Sequence, residues 1–188
     1  MELTSADFKV HSLTTAPEGS VPALRRLEKA VGGIPNLAGA MAESPALIES
    51  FISIREILHS KSLFDPMERE LLLLTNATEN KCGYCQAIHA TFAGKAGVPL
   101  ETIEQVRCGQ EPKDTRQRAL VDFARKVLHN RGRVEQVDLE SFFAVGYTQA
   151  HVLDVIACLT LSTMANYTNH VAHVTPDDFI KPQYRKIV

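Results

Sequence analysis

The chain has 188 residues, 45% hydrophobic and 22% charged, which is enough length and apolar content for one domain with a substantial core. Its net charge of −2, with no Lys/Arg run longer than a doublet, leaves no electrostatic footprint for nucleic acid. The amino end carries Glu2 and Asp7 and lacks the apolar stretch of a secretory signal, and the longest apolar run, Val152 to Ala165, is broken by Asp154, Thr160, Ser162 and Thr163. A soluble cytoplasmic protein is therefore expected, with no membrane partner; there thiols stay reduced unless they are redox-active. Four cysteines do not make a disulfide scaffold in a chain of this size.

Residues 1–20 show no period and read as an extended arm. From there a 3.6-residue period dominates and no alternating strand pattern persists, so the fold class is all-α, with residues 21–188 a single helical domain. Helices are predicted from Pro22 to Val31, Pro35 to Ala42, Pro45 to Ser60, and Pro66 to Asn76 or slightly beyond. Others run from Lys81 to Ala96, Leu100 to Cys108, Thr115 to Asn130, Gln136 to Val145, and Gln149 to His173. Ser44-Pro45 and Asp65-Pro66 place a cap before a first-turn proline, and Thr148 caps the last helix. Gly97, Gly109, Gly132 and Gly146 stand where helices should stop.

A faint repeat runs through this pattern. Ala46-Leu47-Ile48-Glu49 is echoed by Ala119-Leu120-Val121-Asp122, and Ile57-Leu58-His59 by Val127-Leu128-His129. Asp154, Asn166, Asn169 and His173 repeat the separations of Glu70, Cys82, Cys85 and His89 at a constant offset of 84. Either this is a degenerate internal helix-hairpin repeat or it is a coincidence between amphipathic helices.

The chemistry-bearing stretch is Glu70, then Cys82-Gly83-Tyr84-Cys85, then His89. Glu70 shares a helix face with Met67, Leu74 and Ala77, which favours a half-buried carboxylate; the alternative is a surface pairing with Arg69 or Lys81. Cys82, Cys85 and His89 fall at i, i+3 and i+7 and so point one way, with Asn80 or Thr78 as the cap. Thiols in a first helical turn are held as thiolates by the helix dipole. Two other uses of the cysteines remain open, as three zinc ligands or as a small apolar pair. Cys158 reads as core, and Cys108 ends a helix without a nearby partner. His11, His59, His129 and His151 read as surface or cap groups, and Asn166, Tyr167, Asn169 and His170 as capping or oligomer contacts.

With Glu70, Cys82, Cys85 and His89 at these spacings, the chain resembles the AhpD-like alkylhydroperoxidases of the carboxymuconolactone decarboxylase superfamily. The resemblance covers most of the chain, through Gly97-Val98-Pro99 to about Asp178. It implies an all-α AhpD-like bundle, no metal or organic cofactor in the subunit, and assembly as a homo-oligomer, a trimer or hexamer. It also implies a thiol-dependent peroxidase that reduces alkyl hydroperoxides and is restored by a dithiol reductant or redox partner protein. In that scheme Glu70 orients His89, His89 draws the proton from Cys85, Cys85 attacks the peroxide, and Cys82, expected to be the more exposed sulfur, closes the disulfide. Characterised peroxidases of the family carry a histidine between the cysteines where this chain has Tyr84, so Tyr84 joins the site as an altered element of the proton relay. A general thiol-disulfide oxidoreductase, a decarboxylase-like lyase and a non-enzymatic redox-responsive oligomer are the competing expectations.

Overall fold

The computed structural model describes residues 8–185. These residues form α1 (Val21–Val31), α2 (Asn36–Met41), α3 (Pro45–Lys61), α4 (Pro66–Glu79), α5 (Gly83–Ala96), α6 (Leu100–Arg107), α7 (Thr115–His129), α8 (Gln136–Ala144) and α9 (Gln149–Ala172), with short 3-10 turns at Glu18–Ser20 and Asp178–Gln183. There is no strand among the described residues, so the all-α expectation holds. Among them, too, no single helix is long and apolar enough to cross a membrane. Glu2 and Asp7, in the predicted arm, lie outside the described residues.

Capping sets most boundaries where the sequence placed them. Ser44 Oγ accepts from Leu47 N at 3.3 Å, and Asp65 Oδ1 accepts from Glu68 N at 2.8 Å, with Glu68 reaching back to the Asp65 N–H. The largest departure falls at the α4–α5 junction. Helix α4 runs on to Glu79, and Lys81 then adopts a left-handed φ of +54°. Its N–H donates to Thr78 O at 3.0 Å and the Cys82 N–H to Ala77 O at 2.9 Å, closing a Schellman turn. Helix α5 therefore starts two residues later than expected, and Cys82 itself, in place of Asn80 or Thr78, is its N-cap. A lysine in the left-handed region is strained by about 1 kcal/mol or more. We expect Lys81→Gly to stabilise the protein by about 0.5–1 kcal/mol in urea titration, the glycine's larger unfolded-state entropy offsetting part of the relief; a loss of stability would contradict the turn.

Helix α4 is the centre of the packing. Leu71, Leu72, Leu73 and Leu74 are all buried because the helix meets apolar partners on every side. Leu71 and Leu74 face Ala90, Ala93, Ile103 and Val106, while Leu72 and Leu73 face Phe123, Phe142 and Val155. Ala77 joins the cluster of α1, α2 and α5 that also holds both Cys82 and Cys85. Continuous leucines thus make α4 a rod surrounded by helices, and Glu70 and the thiols are fixed to it. His11 departs from its surface reading. It is 8% exposed, its Nε2 lies 2.6 Å from Glu43 Oε2, and its N–H donates to Gly39 O at 3.1 Å. The chain passes so close to α2 there that a Cβ on Gly39 would lie 2.8 Å from His11 O.

Candidate active site

The α4–α5 hairpin brings Glu70 against His89, with His89 Nδ1 2.9 Å from Glu70 Oε2. A carboxylate only accepts, so Nδ1 carries the proton and Nε2 is left as the basic nitrogen. Both side chains are mostly buried, at 16% and 14% exposure, which settles Glu70 as half-buried and paired.

Cys85 one turn before His89, and Cys82 two turns before it, occupy the N-terminus of α5. Cys82 Sγ accepts the Cys85 N–H at 3.4 Å, standing in for the oxygen of an ordinary cap residue, and accepts from Asn169 Nδ2 at 3.6 Å. The Cys85 thiol and these N–H groups pull the Cys82 thiol below its ordinary value, against the effect of burial. Burial pushes Cys85 well up, and the neighbouring Cys82 pushes it further. Of the two thiols, Cys82 is accordingly the one that ionises first. Both sulfurs are buried, at 0% and 2% exposure, so Cys82 is not the exposed member the sequence led us to expect. Cys85, and not Cys82, lines the cavity described below.

This arrangement predicts a titration. In a Cys108→Ser background, thiolate absorbance should show one ionisation with a midpoint below that of an ordinary cysteine, with the thiolate lost as pH falls through it. Cys82→Ser should remove that step, because burial keeps Cys85 and Cys158 protonated, the latter pushed up to about 12. A midpoint no lower than that of an ordinary cysteine would contradict the cap geometry.

Helix α9 and the C-terminal end of α4 supply the amides around the thiols. Asn166 on α9 lies beside the Cys85 side chain, its Nδ2 donating to Ser162 Oγ at 3.5 Å and its Oδ1 accepting from Asn80 Nδ2 at 3.0 Å. Asn80 also donates to Asn76 Oδ1 at 2.9 Å, and Asn76 donates to Leu159 O and Thr163 Oγ1, each at 3.1 Å. The amides therefore have fixed orientations. At the offset of 84, Asn166 corresponds to Cys82 and Asn169 to Cys85. Yet Cys82 meets Asn169 and Cys85 meets Asn166, the crossed pairing that a two-fold axis between two copies produces. The asparagines read from sequence as capping or oligomer contacts are thus partners of the thiols, and the repeat spacing was the signal that marked them.

The Tyr84 hydroxyl is engaged by neither Glu70 nor His89. It donates to Asp177 Oδ2 and accepts from Leu37 N at 3.3 Å, and burial with the adjacent carboxylate pushes its ionisation far up. Asp177 Oδ1 in turn accepts from Asn36 N at 2.9 Å. Tyr84 therefore ties the segment after α9 to the start of α2, closing one wall of the cavity. Of the remaining cysteines, Cys158 is core, as read, and Cys108 is exposed. Among the described residues no group of three His, Cys, Asp or Glu side chains is placed to hold a metal ion.

Cys85, His89 and Glu70 open on a cavity of about 730 Å³ walled by α1–α5, α9 and the segment after it. Apolar side chains such as Phe51, Leu58, Leu73, Ile88 and Phe92 make most of its surface, and Arg55, His59 and Arg69 join them. Sequence reasoning passed over Arg55, weighed Arg69 only as a surface partner of Glu70 and read His59 as a surface or cap group, because a side chain on a predicted helix gives no sign of whether its face meets a cavity. A volume of this size and an apolar lining suit a small organic molecule.

Residues 45–115 match the carboxymuconolactone decarboxylase family. No curated protein matches the sequence. Among solved structures, an AhpD-core, peroxidase-related protein from Ralstonia eutropha JMP134 superposes with a TM-score of 0.82 over 95% of this chain and 96% of its own, at 21% identity. A peroxidase-related protein from Silicibacter sp. TM1040 gives 0.77 over 98% and 97%, also at 21% identity. The debrominase Bmp8, as a variant in complex with 2,3,4-tribromopyrrole, gives 0.79 over 97% of each chain at 14% identity. At these identities the likeness establishes the shared fold.

Proposed function

With residues 45–115 belonging to the carboxymuconolactone decarboxylase family and the chain folded like AhpD-type proteins, we propose that it is a thiol-dependent peroxidase acting on organic hydroperoxides. One observation carries the reading. Cys85 lines a mostly apolar cavity together with the His89–Glu70 pair, while Cys82, held toward the thiolate, waits behind it.

The steps follow from those positions. His89 Nε2 takes the Cys85 proton, directly or through a water, and Glu70 stabilises the cation formed. The Cys85 thiolate attacks the terminal peroxide oxygen, the O–O bond breaks, Cys85 becomes a sulfenic acid, and the alkoxide takes the proton from His89 to leave as an alcohol. The Cys82 thiolate then attacks the Cys85 sulfur and expels hydroxide, which is protonated to water. An external dithiol reduces the disulfide and carries the electrons in. A resolving cysteine that is already anionic suits the second step.

Burial of both sulfurs favours this reading over general thiol-disulfide exchange. Neither sulfur is exposed for direct attack by a protein disulfide, whereas Cys85 lines a cavity of small-molecule size that suits a hydroperoxide. We also propose a homo-oligomer. Leu153, Ile156, Tyr167 and Val171 are exposed along α9 at intervals of a helical stripe, and light scattering that returned a monomer would overturn this. The function itself is tested by coupled turnover, with cumene hydroperoxide as oxidant and dithiothreitol as reductant. Hydroperoxide-dependent oxidation of the dithiol supports the peroxidase. Turnover of an acidic lactone that survives Cys82→Ser plus Cys85→Ser would instead establish a decarboxylase-like lyase built on His89 and Glu70.

A further inference from the structure

Arg55 on α3 and Arg69 on α4 line the cavity beside Glu70, and each is half-buried. Among the described residues the arginines that form ion pairs are Arg26, Arg107, Arg116, Arg125 and Arg185; neither Arg55 nor Arg69 is in one. Arg69 donates one bond, from Nη1 to Phe64 O at 3.1 Å, which leaves most of its guanidinium unused. Of the carboxylates whose charge reaches Arg55, Glu70 is engaged by His89 at 2.9 Å and Glu56 by Arg26 at 3.0 Å. The field is also felt by His59 at the cavity mouth, where burial and then Arg55 and Arg69 depress the imidazole. Around the whole cavity Arg55, Arg69 and Lys95 face two carboxylates, Glu70 and Asp177, and Asp177 is taken up by Tyr84 and Asn36. One positive charge is left over in an otherwise apolar space. Half-buried guanidiniums without a partner are unfavourable until an anion reaches them, and a carboxylate matches their planar donors.

We propose that Arg55 and Arg69 form a carboxylate-binding subsite. The substrate is then a monoanionic hydroperoxide, with an apolar body against Phe51, Leu58 and Ile88, an acid group at the arginines, and its peroxide at Cys85. This rests on the peroxidase reading for the reacting group but not for the acid group, so the two are tested separately. Calorimetry with decanoate and decanol, neither of which reacts with thiols, reads the subsite alone. Roughly 10- to 100-fold tighter binding of decanoate is expected for wild type, the range that charge-assisted bidentate contacts give. Arg55→Gln and Arg69→Gln should each remove most of that preference, and Arg55→Lys should keep part of it.

Kinetics then compare a fatty-acid hydroperoxide with its methyl ester. The ratio of kcat/KM for acid over ester should fall by about 10-fold or more in Arg55→Gln, mainly through KM. Equal binding of decanoate and decanol by wild type, or a preference that survives in both glutamine variants, would overturn the subsite. An arginine-dependent preference in a protein that reduces neither peroxide would uphold the subsite and overturn the peroxidase reading.

Discussion

Cys85→Ser is expected to bring hydroperoxide consumption down to the level of buffer, with no disulfide formed, while Cys82→Ser should still consume one equivalent and stop. The two variants differ because the sulfurs differ in place. Cys85 lines the cavity and Cys82 does not, so only Cys85 meets the peroxide. In Cys82→Ser the sulfenic acid on Cys85 has no resolving thiolate one turn away and should accumulate, trappable by dimedone and open to further oxidation to the sulfinic acid. Loss of Cys82 also removes one of the influences that keep Cys85 protonated, so the first attack should not slow for want of a thiolate. Mass spectrometry of the trapped adduct checks this. A dimedone adduct on Cys82 in the Cys85→Ser protein, with peroxide consumed, would reverse the two roles.

Glu70→Gln is expected to lower kcat/KM for a neutral hydroperoxide by about 100-fold or more, within the range general-base catalysis contributes. Glutamine preserves the size of the side chain, and its amide oxygen still accepts from His89 Nδ1, so the imidazole keeps its position. What disappears is the negative charge that stabilises the imidazolium formed as Cys85 gives up its proton. Because the side chain is only 16% exposed, water does not screen the missing charge as it would at the surface. Thermal unfolding of the variant should stay close to wild type. A rate within a few-fold of wild type would mean that Cys85 is deprotonated by another route, through Cys82.

Most of the fold is written locally in this chain. Proline after a cap residue at Ser44 and Asp65, and glycine at Gly97 and Gly146, encode where helices start and stop, and the four leucines from Leu71 encode a helix buried on all sides. The α4–α5 turn was not legible for a physical reason. Lys81 sits in a conformation that its sequence does not advertise, and Cys82 takes a capping role that usually falls to an oxygen-bearing side chain. That two-residue shift moves Cys82 from the face of a helix to its end, where the Cys85 thiol and then the Cys85 N–H hold it toward the thiolate, while burial holds Cys85 protonated.

The candidate site was legible where its members are close in sequence. Glu70 and His89 are separated by one hairpin; helical phasing puts Glu70 on a half-buried face and His89 in line with the cysteines, and the family resemblance supplies their pairing. Asn166, Asn169, Arg55 and Asp177 come from distant segments. No local pattern links them to the thiols, apart from the faint offset of 84 that connects the asparagines to the cysteines. Tyr84 shows the converse limit. Its position between the cysteines implies proximity to the reaction, but its hydroxyl is spent on Asp177 and the Leu37 amide, a partnership set by tertiary packing.

The central claim is that Cys82 and Cys85 act as a peroxide-driven pair under the control of Glu70 and His89. Its most direct test is a stoichiometric titration of the reduced protein with cumene hydroperoxide, quenched by acid and mapped by mass spectrometry, in wild type and Glu70→Gln. The account predicts one Cys82–Cys85 disulfide per equivalent of peroxide in wild type, formed far faster than the oxidation of free cysteine, and roughly 100-fold more slowly in Glu70→Gln. Oxidation at the rate of free cysteine, equal rates in the two proteins, or products confined to Cys108 would contradict it.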